Sequence, residues 1–331
     1  MTDASDSSPV EIKEKIKEAA LRRQMMITSF TSHTNAWRLI HSGADGFDGI
    51  TVDVLDDVLL VEQHREHADI SHLLQELPLQ FPDKSIFVKK RWSRLSEHRC
   101  GEQVAGPRHP HILNILENDL RFGIRLTDEE HIGLFLDSRM PREWVRANST
   151  DKRVLNLFSY TGGFGVAAAA GGAVNTVNID NKNSALRYAE QNYQKNGLPF
   201  DSRTFFKCDV LYYLKRAAGQ KGRFDLIVVD PPPRFKRRHQ RDFVAHRDYH
   251  KLIALCIGVL APGGTILAGL NALKASDEQM DTMIEAAAME SHSTITTTGD
   301  ITAPPDFPST PDRPVSRFRI LRVSHTPENP R

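Results

Sequence analysis

From about residue 152 the chain alternates short apolar runs with helical stretches, and no other feature restricts its fold as strongly. RVLNLF (153–158) reads as a strand, followed by a Gly-rich turn and an Ala-rich helix. AVNTVNID (173–180) is a second strand, and NKNSALRYAEQNYQKNG (181–197) is a helix closed by Asn196-Gly197. RTFFKCD (203–209), FDLIVVD (224–230) and GGTILAGL (263–270) are further strands, the last preceded by a long helix near 241–260. Strands joined through helices form βαβ units. The expected fold is therefore α/β, a doubly wound and mostly parallel sheet.

A smaller unit precedes it. Residues 1–8 read as a disordered tail. Ser8-Pro9 then suits a helix start, and the helix runs to about Met26 with Ile12, Ile16, Ala19 and Ala20 on one face. Such a face needs something to pack on, so the helix should be docked. ITVDVLDDVLLVEQ (50–63) has the pattern of a hairpin around Asp56-Asp57, ADISHLLQELPLQF (68–81) has helical spacing, and SIFVKK (85–90) returns to strand. The polar stretch 96–110 reads as a boundary. The expected domains are thus a helix plus a small α+β unit over 9–110, and a ligand-binding α/β unit over 111–331.

Composition excludes several classes. With 331 residues the chain can bury a core without disulfide staples, and its three cysteines form no CxxC, which fits a reducing compartment. The acidic, polar N-terminus is no secretory signal, and FGVAAAAGGAV (164–174) is too short and Gly-broken to span a bilayer. A cytoplasmic protein is expected, as a monomer or a homodimer. Lys+Arg of 43 against Asp+Glu of 42 rules out a uniformly basic nucleic-acid coat but leaves room for a local patch. The 14 histidines show no HExxH spacing, so no metal site is expected.

In an open α/β sheet, ligands bind beyond the carboxyl ends of the strands. After the first strand stand Phe158, Thr161, Gly162 and Gly163, whose glycines let a ligand approach the backbone at a helix start. The spacing is not GxGxxG, a poor match to a dinucleotide loop. After the second strand stands Asp180, able to accept both hydroxyls of a ribose, and after the third Asp209, placed for an adenine amino group. Either aspartate alone could be only a helix N-cap; three sites in register argue for a nucleoside. After the fourth strand come Asp230-Pro231-Pro232-Pro233-Arg234-Phe235, where prolines hold a carboxylate in a stiff extended loop of the kind that fixes a planar base.

LNLFSYTGGFGVAAAAGGA (155–173), the Asp-Pro-Pro loop and LAPGGTI (260–266) resemble class I S-adenosylmethionine-dependent methyltransferases. More narrowly, they resemble the bacterial large-subunit (23S) rRNA methyltransferases that modify cytosine C5 or guanine N7. HIGLFLDSR (131–139) and TNAWRLIHSGADGFDGITVD (34–53) extend the likeness to nearly the whole chain from about residue 20, without an evident PUA domain. The resemblance implies a Rossmann-like fold and S-adenosylmethionine as cofactor. It places Phe158 and Thr161-Gly162-Gly163 at the methionine part, Asp180 at the ribose, Asp209 at the adenine edge and Asp230, with Pro231 and Pro232, between cofactor and substrate. Asp137 and Arg139 would close the pocket.

Two departures matter. The cytosine-C5 members place a nucleophilic Cys after the fifth strand, where this chain reads Ala268-Gly269-Leu270-Asn271. Carbon 5 of a pyrimidine is a weak nucleophile until a thiolate adds to carbon 6, so that chemistry needs the thiol. The guanine-N7 members carry asparagines there, which Asn271 resembles, making it a catalytic candidate. The family's DPP-x-F also carries one extra residue here before Phe235. Beyond Asp230 the cations Arg234, Lys236, Arg237, Arg238 and Arg241, continued by Arg247 and Lys251, would meet RNA phosphates. Lys89-Lys90-Arg91-Trp92 with Arg94 adds a second basic group with an aromatic for stacking. The expected activity is nucleobase methylation, in rRNA, by direct transfer. The alternatives are a cytosine-C5 enzyme or a non-catalytic RNA-binding factor retaining the fold.

Overall fold

A computed structural model describes residues 8–27, 33–128, 131–218, 224–237, 241–270, 276–310 and 317–325. The chain divides into two compact units, one of Met1–Arg139 with Pro304–Pro314, the other of Met140–Ala303 with Val315–Arg331.

The first unit opens with α1 (Pro9–Ile27), where the Ser8 hydroxyl accepts from the Glu11 N–H at 3.3 Å. Its inner face buries Ile16 and Ala19 completely, and Arg23 forms a fork on Asp45 at 2.7 and 2.6 Å. The helix is docked, as its apolar face requires. Five strands follow: β1 (Ala36–His41), β2 (Ile50–Leu55), β3 (Val58–Gln63), β4 (Ser85–Lys90) and β5 (Glu102–Ala105), in that spatial order. β2 and β3 form the hairpin, turned by Asp56 at φ 57°. α2 (Ser71–Gln80) crosses from β3 to the parallel β4. A short helix α3 (Ser96–Arg99) precedes β5, and a separate hairpin, β6 (Ile112–Glu117) with β7 (Leu120–Arg125), turns on left-handed Asn118 and Asp119.

The division after Arg139 corrects the boundary expected within 96–110. Hydrogen bonds cross that polar stretch: Gly101 N–H donates to Leu126 O, Leu126 N–H to His111 O and Asn35 N–H to Leu116 O, at 2.8–3.0 Å. The returning segment is fastened by Asp306, 1% exposed, which accepts the Arg38 N–H at 2.9 Å and two Arg139 N–H groups at 3.1 and 3.2 Å. Arg38 in turn forks onto Asp53 and lies 4.5 Å over the Phe307 ring.

The second unit starts within α4 (Arg139–Ala147), at Met140, and then alternates β8 (Arg153–Leu157), α5 (Gly163–Ala170), β9 (Asn175–Asp180), α6 (Asn183–Lys195), β10 (Phe205–Lys207), α7 (Val210–Ala217) and β11 (Phe224–Val229). A two-stranded ribbon, β12 (Arg234–Phe235) and β13 (Phe243–Val244), leads into α8 (Ala245–Ile257), β14 (Leu260–Leu270), α9 (Asp277–Glu290), β15 (Ser293–Ile301) and β16 (Arg317–His325). The sheet order is β10-β9-β8-β11-β14-β16-β15, with the first five strands parallel and β16 antiparallel to both neighbours. This is the doubly wound sheet expected, with one reversed strand that no local pattern announces.

Close packing of α5 depends on Gly165. A Cβ there would lie 2.3 Å from Asn178 Oδ1 and 2.6 Å from the Tyr193 hydroxyl. Both belong to a buried polar cluster in which Tyr193 meets Thr176 at 2.7 Å and Asn178 meets Asn156 at 3.0 Å.

Two stability effects follow. Gly165→Ala should cost about 1–3 kcal/mol by overpacking. Asp306→Ala strands two buried guanidinium contacts and should cost about 3–5 kcal/mol. Denaturant midpoints of the purified variants would check both; an Asp306→Ala midpoint equal to wild type would refute the fastening role.

Candidate active site

Because β8–β11 are parallel, their carboxyl ends share one edge. Leu157 stands opposite both Ile179 and Val229, and Asp180 opposite Lys207. Phe158, Asp180, Asp209 and Asp230 therefore emerge side by side. The chain winds outward from β8 in both directions, so the crevice between β8 and β11 is the topological switch point.

The loop after β8 is unusual backbone. Phe158, Tyr160 and Gly162 all have left-handed φ, at 55°, 47° and 79°. Non-glycine residues adopt such angles only where their surroundings enforce them. Here Ser159 N–H donates to Ile179 O, Gly162 N–H to Ser159 O, and Tyr160 N–H to Asp180 Oδ2 at 2.9 Å. Asp180 Oδ1 accepts from Lys182 N–H at 2.8 Å. At Gly162 a Cβ would also meet the Ala189 Cβ at 2.8 Å, so two constraints demand glycine. Ser159, 5% exposed, has no hydrogen-bond partner for its Oγ among the described residues. The sequence carried no signal for it, because the left-handed backbone on either side shows only in the fold.

Burial raises the Asp180 carboxyl above its ordinary value of 3.8, and the Lys182 and Tyr160 N–H groups only partly offset this. A folded value above the unfolded one means that folding favours the protonated acid. That contribution is full below the unfolded value and lost as pH rises through the folded one. Ionised Asp180 therefore costs stability at neutral pH, as expected of a group retained as an acceptor.

Asp209 caps α7, accepting Tyr212 N–H on Oδ1 at 2.9 Å. Arg237 also forks onto it, Nε to Oδ2 at 2.9 Å and Nη2 to Oδ1 at 3.2 Å, with the arginine side chain 11% exposed. This corrects the placing of Arg237 among phosphate-facing cations: its charge is spent on a neighbouring carboxylate. Asp230 is half-buried and Pro231 buried, while Pro232 and Pro233 are exposed. Gly269 lets β14 approach Asp230, since a Cβ there would be 3.0 Å from its Oδ1 and 2.5 Å from Phe318. Below it Tyr249, fully buried, donates to Gly269 O at 2.7 Å. The proline run does not remain a plain extended loop. Arg234 and Phe235 pair with Val244 and Phe243, and the Phe235 ring stacks on Phe243 at 4.7 Å and meets Phe158 at 5.2 Å.

The remaining candidates separate into three groups. Arg234 pairs with Asp242 at 2.8 Å and Arg247 with Asp248, whereas Lys236 and Arg241 are exposed and form no ion pair among the described residues. Arg238 and Asn271 lie outside the described residues. Asp137 and Arg139 fall in the first unit, where Asp137 acts electrostatically on Arg38. Arg139, 1% exposed and bonded to Asp306 and Ala36 O, is sequestered there rather than presented to a ligand. The second basic group is committed only in part: Lys89 Nζ donates to Asp128 O, Arg91 lies 3.6 Å from Glu62 and Trp92 Nε1 donates to Gln63 at 3.0 Å, whereas Lys90 and Arg94 form no ion pair among the described residues. Among the described residues no cluster of His, Cys, Asp or Glu could hold a metal.

A strained loop with an orphaned buried hydroxyl and two carboxylates at successive strand ends offers donors and acceptors suited to S-adenosylmethionine. Residues 48–321 match the S-adenosylmethionine-dependent methyltransferase family, and the chain belongs to it. It is 32% identical over 300 residues to a Bacillus subtilis protein, YwbD, named for ribosomal RNA large subunit methyltransferase activity, covering 88% of this chain and 74% of that one. It is 33% identical over 238 residues to the ribosomal RNA large subunit methyltransferase I of Aeromonas salmonicida, covering 70% of this chain but 59% of the relative. A solved methyltransferase complexed with SAH superimposes with a TM-score of 0.86 at 25% identity, covering 96% of this chain and 82% of its own.

Cofactor affinity is expected to fall as pH drops through the raised Asp180 titration. Calorimetry between about pH 7 and about pH 4 should show it. Asp180→Ala should weaken S-adenosylmethionine binding by about 2–4 kcal/mol at neutral pH and flatten that dependence. Unchanged affinity in a folded variant would remove Asp180 from the cofactor site.

Proposed function

We propose that this methyltransferase modifies a nucleobase of large-subunit ribosomal RNA in the cytoplasm by direct transfer, with no covalent cysteine intermediate. The names of its relatives support the RNA class. The placement of the thiols carries the mechanism. Cys256 is fully buried in α8 and burial pushes its thiol far up. Cys208 follows β10, and burial, aided by Asp209, raises it as well. Cys100 belongs to the first unit. At the described end of β14 stand Ala268, Gly269 and Leu270, none of them a nucleophile.

S-adenosylmethionine supplies an electrophilic methyl on a sulfonium. The protein's work is then positioning and electrostatics. The Phe158–Gly163 loop, with Ser159, would hold the methionine part, Asp180 the ribose and Asp209 the adenine edge. Asp230, braced by buried Pro231 and by β14, would orient the base, with Pro232 and Asn271 beside it. A base paired in its substrate must be unstacked before it can enter. Lys236 and Arg241, with Arg238, would face the phosphates.

Mass spectrometry of rRNA nucleosides from a deletion strain should reveal one missing methylated base, restored by wild type but not by Asp230→Ala. The combined variant Cys100→Ser, Cys208→Ser, Cys256→Ala should keep turnover within about tenfold, because loss of a true nucleophile costs several orders of magnitude. A trapped covalent adduct with 5-fluorocytosine RNA would overturn the direct mechanism. Lys236→Gln with Arg241→Gln should lower the salt slope of RNA binding by about one unit per lost contact. An unaltered slope would leave these cations as an ordinary solvated surface.

A further inference from the structure

We propose that Arg237 is a cofactor-positioning residue, acting through Asp209 to select an adenine amino group. This rests on the reading of Asp209 as the adenine acceptor.

A carboxylate offers about four acceptor positions. On Asp209, Oδ1 already accepts from Tyr212 N–H at 2.9 Å and from Arg237 Nη2 at 3.2 Å, which fills it. Among the described residues Oδ2 accepts only Arg237 Nε, at 2.9 Å. One position is left on one oxygen, matching a single N–H donor. The planar two-point fork also fixes the carboxylate's rotation, which a lone N-cap contact does not.

The route by which Arg237 arrives supports a role at the cofactor. It follows β12, which leaves β11, yet Asp209 follows β10, three positions away in the order β10-β9-β8-β11. At about 4.8 Å per strand this is a span of about 14 Å. The segment from β12 to Arg237 is anchored about one third of the way along that span, where Phe235 meets Phe158, and at its far end, where Arg237 meets Asp209. It thus reaches over the strand ends where the nucleoside would lie. A side chain only 11% exposed, with its charge matched, is poorly suited to meet a phosphate.

The test compares binding of S-adenosylmethionine, adenosine and inosine to the full chain; inosine replaces the 6-amino group with a carbonyl. Wild type should prefer adenosine to inosine by at least about tenfold, since a carbonyl oxygen facing Oδ2 leaves an acceptor unpaired. Arg237→Gln should weaken S-adenosylmethionine binding about tenfold and erode that preference, and Arg237→Lys should restore part of each. Asp209→Asn keeps the helix cap and should show the same loss, with the double variant little worse than either single one. The salt slope of RNA binding should not change in Arg237→Gln. If Asp209→Asn loses affinity and preference while Arg237→Gln keeps both, the positioning role is refuted and the adenine reading survives. If Asp209→Asn changes nothing, the adenine reading fails and takes this inference with it. A slope lowered by about one unit in Arg237→Gln would return that residue to the phosphates.

Discussion

Two backbone N–H groups from different turns meet on one carboxylate, and the active-site edge depends on that meeting. Asp180 ends β9, but through Tyr160 it holds the turn after β8, and through Lys182 it holds its own. Without an acceptor at that point, the left-handed angles at Phe158 and Tyr160 would be held only by the Ser159 and Gly162 N–H bonds. The same carboxylate is raised by burial. A group that costs stability while shaping the loop is difficult to replace by a neutral one, because every contact it makes calls for an acceptor. Asparagine would present an N–H to one of the two donors.

The sheet then fixes what this edge can reach. Parallel strands bring each carboxyl terminus to one side, and the switch between β8 and β11 opens the crevice. The two halves are not held alike. On the β8–β10 side the carboxylates cap loops or helices through backbone donors. On the β11–β14 side Asp230 is approached by Gly269, whose missing side chain admits both it and Phe318. Backbone positioning suits the half where a nucleoside would be bound repeatedly in one pose. The opposite half is bordered by the ribbon, where half-buried Phe235 stacks on buried Phe243.

Much of this was legible in the residues. Strands β8, β9, β11 and β14 are compact apolar runs; Asp180 ends β9, Asp230 directly follows β11 and Asp209 stands two residues past β10, which is where an α/β sheet binds ligands. The docked α1 followed from Ile16 and Ala19 on one face. What escaped is long-range. Pro304–Pro314 returns to the first unit because Asp306 satisfies Arg38 and Arg139, residues more than a hundred positions away, and no window of sequence records such a pairing. The ribbon β12–β13 was hidden by prolines that read as a stiff loop. Its pairing involves only two residues on each side, too few to leave a periodic signal.

The charge pattern shows most clearly why a linear reading overshoots. Between Arg234 and Lys251 the sequence shows a strongly basic run, and counting alone makes it a phosphate-binding strip. Folded, Arg234 lies on Asp242, Arg247 on Asp248 and Arg237 on Asp209. The first two partners come from within the run, and Arg234 and Arg247 hold them below the usual carboxylate range. The third comes from another strand end altogether. Counterion release scales with the phosphates a protein actually neutralises, so cations already paired contribute little to affinity or its salt dependence. Lys236, Arg241 and Lys251 remain exposed. The unpaired positive charge of this run is therefore smaller than the sequence suggests.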